Sequence, residues 1–186
     1  MNNSIKGGVA KRHKYHLALW KQERPEPEYF KELIRVSKNQ IIWGGNYFAD
    51  MLETSQGWIV WDKQIAEGVH YADCELAWTS FDQATKKIVY QWSGMLQGDM
   101  KNKEHKIHPT QKPVKLYEWI LNNYSSPEDI ILDTHVGSAS SLIACHNTRH
   151  KFVGFEIDPE YYKKAKERLD QEMAQINIYD ILGETK

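Results

Sequence analysis

Two short apolar runs, each ending in a carboxylate, govern what this chain folds into. The first is Ile130-Ile131-Leu132-Asp133; the second runs from Lys151 to Glu156, which stands 23 positions after Asp133. Between them Gly137-Ser138 opens an apolar stretch through Leu142, Ile143 and Cys145 that reads as a helix. Strand, helix and strand at this spacing make a βαβ unit, which implies parallel strands and a right-handed crossover. In such units ligands sit beyond the carboxyl ends of the strands. A glycine after the first strand lets the backbone approach a ligand, and the next helix offers free N–H groups. An acid at the tip of the second strand can hold ribose hydroxyls, roughly 20 residues after the first turn. Asp133, Gly137, Ser138 and Glu156 fill those places. The loop lacks G-x-G-x-x-G, which argues against a dinucleotide and so against a dehydrogenase.

The rest of the chain alternates in the same manner. Residues 1–25 show no periodicity and read as an arm or loop. From Glu28 the pattern is helical, with Phe30, Leu33 and Ile34 on one face and Asn39 as the stop. Gln40-Ile41-Ile42-Trp43 reads as a buried strand halted by Gly44-Gly45. Residues 57–61, 74–81 and 88–92 read as three more strands, and 94–106 as a polar, basic surface loop. After His108-Pro109-Thr110-Gln111-Lys112-Pro113 a helix follows, with Tyr117, Ile120, Leu121 and Tyr124 on its apolar face. Asp158 is placed to cap a last helix that starts with Pro159 and runs to Met173, with Tyr162, Ala165, Leu169 and Met173 inward.

A length of 186 residues suits one domain with its own core. The net charge is −1, yet cations cluster at Lys6, Lys11, Arg12 and Lys14 and again at Lys101, Lys103 and Lys106. Such asymmetry permits a local phosphate-contacting face, although solvated surface charge is the plainer reading of either cluster alone. Two separated cysteines, Cys74 and Cys145, fit a reducing compartment. No run approaches the roughly 18 apolar residues of a membrane span, so a soluble cytoplasmic protein is expected. His13 and His16 have no third ligand in view, and no metal is expected.

Three segments in order carry a resemblance: HPTQKP at residues 108–113, LDTHVGSASS at 132–141 and GFEIDPEYYKKAKERL at 154–169. They resemble the N6-adenine/N4-cytosine DNA methyltransferases of the permuted class, phage and prophage types especially, in which the target-amine half precedes the cofactor half. The earlier QIIWGGNYF, GWIVWDK and CELAWTSF also look like members of that family. The likeness covers residues 26–173. It implies a Rossmann-like α/β fold binding S-adenosylmethionine, with a mixed sheet and helices on both faces. The implied division is an arm at 1–25, a target-amine half at 26–93, a recognition loop at 94–107 and a cofactor half at 108–186. The implied cofactor residues are His108, Thr110, Lys112, Pro113, Asp133, His135, Gly137, Ser138 and Glu156, with Glu156 on the ribose. Lys101, Lys103 and Lys106 would contact duplex DNA. His135 stands where the family has an aromatic residue, and Ala139 where it has a second glycine.

The resemblance also implies a catalytic D-P-P-Y, which this sequence lacks: its prolines are Pro25, Pro27, Pro109, Pro113, Pro127 and Pro159. The chain is therefore expected to begin just after that motif and to miss one central strand beside the Asp133 strand. Either the N-terminal residues or another chain would fill it, or the chain is a truncated and weakened fragment. Asn46-Tyr47-Phe48 offers an amide and two aromatics after a strand, though structural aromatics are the plainer reading. The expected function is methyl transfer to adenine N6, with cytosine N4 as the alternative. The rival is an inactive remnant that binds cofactor or DNA only; an RNA or small-molecule methyltransferase ranks below both.

Overall fold

The structure is a computed structural model that describes residues 24–66, 72–93 and 95–175. The expected arm, with His13 and His16, lies outside the described residues apart from its last two positions. Helix α1 (Pro27–Val36) begins with proline at its first position, where the missing N–H costs nothing. It ends three residues before Asn39, because Ser37 turns extended and its hydroxyl bonds the carbonyl of Leu33. Of its predicted apolar face, Phe30 is buried and Ile34 is 45% exposed.

Strand β1 (Ile41–Trp43) follows, then a single 3-10 turn at Gly45–Tyr47. Strands β2 (Trp58–Asp62), β3 (Cys74–Thr79) and β4 (Lys86–Val89) complete a four-stranded sheet of order β1-β3-β2-β4. β3 is antiparallel to both neighbours and β2 is parallel to β4, so the sheet is mixed. Gly45 is dictated by packing: a Cβ there would lie 2.5 Å from the Trp78 side chain.

The predicted strand 88–92 breaks at Tyr90. The indole of Trp61 donates to the Tyr90 carbonyl at 3.0 Å and that of Trp92 to the Gln111 carbonyl at 2.9 Å. Strand β5 (Trp92–Ser93) then pairs with β6 (Leu96–Gln97) in a hairpin of its own. The segment read as a surface loop is thus tied down. Gln97 is buried, donates to the Glu104 carbonyl at 2.9 Å and accepts from the Glu104 N–H at 2.8 Å.

Helix α2 (Val114–Tyr124) lies between two cores. Leu116 and Ile120 join Ile59, Trp61, Ala77 and Ile88 of the four-stranded sheet and Trp92 of the hairpin. Leu121 packs with Ala144 and Cys145 of helix α3 (Ser140–Asn147). Residues 140–145 are all buried, and Ala144 and Cys145 let α2 come close. Strands β7 (Ile130–Asp133) and β8 (Lys151–Gly154) are parallel, in register from Ile130–Lys151 to Asp133–Gly154, as the βαβ reading requires. Among the described residues β7–β8 shares no ladder with the four-stranded sheet. The mixed sheet with helices expected from sequence is present, and among the described residues the β7–β8 pair stands as a sheet of its own.

Helix α4 (Pro159–Met173) opens as foreseen: the Asp158 carboxylate accepts from the N–H groups of Glu160 and Tyr161 at 2.9 and 3.0 Å. Its inward face differs from expectation. Tyr161 is 1% exposed and Tyr162 54%, while Met173 is half exposed. Counting from the capped start, Tyr161, Ala165 and Arg168 share a face at i, i+4 and i+7. No described helix is long and apolar enough to cross a membrane. Replacing Asp158 by alanine should cost about 1 kcal/mol, and Asp158→Asn should restore most of it, read from urea-denaturation midpoints.

Candidate functional site

The loop after β7 is built by the two carboxylates that end the parallel strands. Asp133 accepts from the His135 N–H at 2.8 Å through one oxygen and from the Ser141 hydroxyl through the other. Glu156 accepts from the Gly137 N–H at 2.8 Å and from the Asp158 N–H at 2.9 Å. Each acid therefore fixes backbone with part of its lone-pair capacity and leaves the rest for a ligand. The loop turns through two left-handed residues, Gly137 at φ +55° and Ala139 at φ +62°. Glycine takes that conformation without strain, whereas alanine at 139 costs roughly 1–2 kcal/mol. α3 consequently begins at Ser140 instead of at Gly137-Ser138.

The HPTQKP segment closes over this loop from the other side. A Cβ on Gly137 would lie 3.5 Å from the His108 ring, so the imidazole packs on the glycine. His108 is buried, 4.3 Å ring to ring from Tyr161, and its Nδ1 lies 3.1 Å from the Thr110 hydroxyl. Burial pushes the imidazole below its ordinary pKa, against the opposing pull of Glu156 and Asp158. Pro113 is fully buried at the start of α2. Tyr29 of α1 adds a contact from the first half, its hydroxyl 2.8 Å from Thr134 Oγ1 and its ring 5.6 Å from that of His135.

His108, Thr110, Asp133, His135, Gly137, Ser138 and Glu156 thus surround one loop. Lys112 goes elsewhere. Its ammonium lies 3.0 Å from Glu75 on β3 and 5.3 Å from the centre of the Trp43 ring. Lys63 reaches the other oxygen of Glu75 at 3.5 Å. Tyr117 packs against both cores, and burial, with the charges of Asp133 and Glu75, pushes its phenol far above the ordinary range. Beneath the loop, burial and then Asp133 push the Cys145 thiol up to about 12.

Lys101 and Lys103 are exposed on a turn held by Asp99, whose carboxylate accepts from the N–H groups of Lys101 and Asn102 at 3.0 Å each. Lys106 does not stand with them: it is half-buried, its ammonium 4.4 Å from the centre of the Trp92 ring. Tyr47 of Asn46-Tyr47-Phe48 is exposed, while Phe48 packs on Phe30 at 5.3 Å. Three contributors escaped the sequence reading: Tyr29, Glu75 and Arg168. Arg168 left a signal, a cation on the inward stripe of α4; a carboxylate at the start of an apolar strand marks Glu75; nothing marks Tyr29. A cleft of about 220 Å³ runs along Val136, Leu142, Gly154, Glu156, Ala165 and Leu169, with Glu156 its only wall from the loop acids.

A βαβ loop clamped by two strand-end carboxylates is the architecture of Rossmann-like methyltransferase domains. A crystal structure of an M1.HpyAVI–SAM complex is similar to the chain, with a TM-score of 0.58 and 26% identity over 78% of this chain and 83% of that one. The chain belongs to the N6/N4 methyltransferase family described as DNA methylase, matching it over residues 1–167. It is 34% identical to the type II methyltransferase M2.LlaDCHI of Lactococcus lactis subsp. cremoris over 126 residues, 67% of this chain and 44% of the relative. It is 42% identical to the DNA adenine methyltransferase YhdJ of Escherichia coli K12 over 67 residues, 36% of this chain and 23% of YhdJ. The chain thus spans less than half the length of these curated relatives.

The depressed His108 pKa gives a pH test. A neutral imidazole stabilises the fold fully above the unfolded value of about 6.5, and that contribution fades as pH falls below it. The stability difference between the parent and His108→Gln should therefore shrink between pH 7.5 and 5.5 in parallel denaturant titrations.

Proposed function

We propose that this chain binds S-adenosylmethionine at the Asp133–Glu156 loop and serves methyl transfer to an exocyclic amine in duplex DNA, adenine N6 in the first instance. The observation that carries the reading is the placing of Asp133 at the carboxyl end of β7 and of Glu156 two residues past the end of parallel β8, with the Gly137 turn between them and His108 packed on it. The donor set suits a nucleoside cofactor: Glu156 has acceptor capacity for ribose hydroxyls, and the α3 start and loop N–H groups suit a carboxylate. His108, Thr110, Pro113, His135 and Ser138 shape the surround. In the structure Lys112 is held by Glu75, so it belongs in this proposal to the rim of the target half.

S-adenosylmethionine, when bound, supplies an electrophilic methyl group. The protein's share is to orient the cofactor and to present a base amine whose lone pair is delocalised and weakly nucleophilic. The base must leave the helix stack to be reached. Adenine is preferred over cytosine N4 on the 42% identity with a DNA adenine methyltransferase. A second reading, cofactor or DNA binding without transfer, rests on the absence of any Pro-Pro pair from the 186 residues.

Calorimetric titration with S-adenosylmethionine tests the reading. The parent should bind, and Asp133→Ala should weaken binding by roughly tenfold or more through loss of a charge-assisted anchor of the loop. A parent that does not bind removes the proposal. Transfer of labelled methyl to unmethylated duplex then separates the two readings. For DNA, alanine at Lys101, Lys103 and Lys106 should flatten the plot of log affinity against log salt by about 0.9 for each phosphate that is no longer neutralised. Equal affinity and slope in parent and triple variant would exclude the basic stretch from the interface.

A further inference from the structure

Four segments that the proposed function uses separately meet at one buried ion pair. Arg168 of α4 and Glu104 of the 94–107 segment are 2.7 Å apart, with side chains only 17% and 16% exposed. The guanidinium also donates to the Ser138 carbonyl at 2.7 Å and to the Ser140 hydroxyl at 2.9 Å, on the loop and at the start of α3. The other Glu104 oxygen accepts from the Val114 N–H at 2.9 Å, the first residue of α2 after HPTQKP. The Glu104 backbone is itself locked to Gln97 of the β5–β6 hairpin. Burial pushes the carboxyl of Glu104 up and the guanidinium of Arg168 down, and the mutual attraction and hydrogen bonds oppose both shifts.

The arrangement has no slack. The planar guanidinium fixes two donors toward the loop and one toward Glu104, in a geometry that an ammonium cannot copy. A shift of the 99–104 turn must move Glu104, and Glu104 cannot move without leaving a buried charge or the α2 N-terminus unpaired. Lys101 and Lys103 lie one to three residues before Glu104 on that turn. The Glu104–Arg168 pair thus connects the turn that carries those lysines to the Ser138 carbonyl, next to the Gly137 turn.

We propose that Arg168 and Glu104 are positioning residues that couple the two ligand sites, so that duplex DNA on the Lys101–Lys103 turn and cofactor at the Asp133–Glu156 loop each tighten the binding of the other. This rests on the function proposed above. Coupling of this kind is reciprocal and typically amounts to about 5–150-fold in affinity. Neither residue needs to touch either ligand; both act through the Ser138 carbonyl.

The test measures the dissociation constant of S-adenosylhomocysteine for the full chain by calorimetry, with and without a saturating unmethylated duplex, in the parent, Glu104→Gln and Arg168→Lys. The parent should bind the probe at least about fivefold more tightly with DNA present. Glu104→Gln keeps an acceptor for the Val114 N–H, so its DNA-free affinity should stay within about threefold of the parent while the DNA effect falls to near unity. Arg168→Lys keeps the charge without the fork, and should lose most of the coupling together with the stability that the Ser138 and Ser140 bonds contribute, while still unfolding in one cooperative step. A parent that binds both ligands with no mutual effect overturns the coupling and leaves the proposed function standing. An undiminished DNA effect in both variants overturns it equally. A parent that binds no probe at all removes the function and the coupling together.

Discussion

Helix α2 holds the molecule together. Two sheets that share no backbone ladder among the described residues need a common core, and this helix supplies it by burying opposite sides. Leu116 and Ile120 face the four-stranded sheet; Leu121 faces α3. Each fully buried leucine or isoleucine side chain contributes about 1.5–3 kcal/mol of hydrophobic stabilisation. The same helix begins at Pro113, so the segment that packs against the Gly137 loop is placed by the element that joins the halves. Site geometry and global packing are thus hard to vary independently.

The acids of the loop follow from the same economy. Asp133 and Glu156 hold the turn through backbone N–H groups, which sets its shape without any ligand. A preformed loop loses less conformational entropy on binding than one that must be ordered by its ligand. Ala139 in the left-handed region persists only because its surroundings over-determine it: it is 1% exposed and packs with Leu142 and Ala165.

Local signals made much of this legible. The βαβ unit, the Asp158 cap and the strands around Trp43, Trp61 and Trp78 depend on periodicity, capping chemistry and β-branched or aromatic runs, and these are properties of neighbouring residues. What sequence concealed was tertiary. Trp61 and Trp92 break strand 88–92 through indole N–H bonds to carbonyls 29 and 19 residues away. The choice of Tyr161 over Tyr162 depends on where Asp158 starts the helix, a one-residue matter that an amphipathic pattern with adjacent tyrosines cannot resolve. That Asp133, Gly137 and Glu156 meet at one loop was readable from their order along the βαβ unit. The turn of Lys112 toward Glu75, and of Lys106 onto Trp92, reflects partners more than ten positions distant.

The burial of α3 gives the protein a built-in reporter. Cys145 is completely enclosed beneath the loop, where burial pushes its thiol well above the ordinary range, whereas Cys74 is exposed at the start of β3. A thiol-directed reagent meets Cys74 at once but reaches Cys145 only when the core that it shares with Leu121, Ile131 and Phe152 opens. The slower of two labelling phases therefore clocks the opening of the core around α3, with no engineered probe.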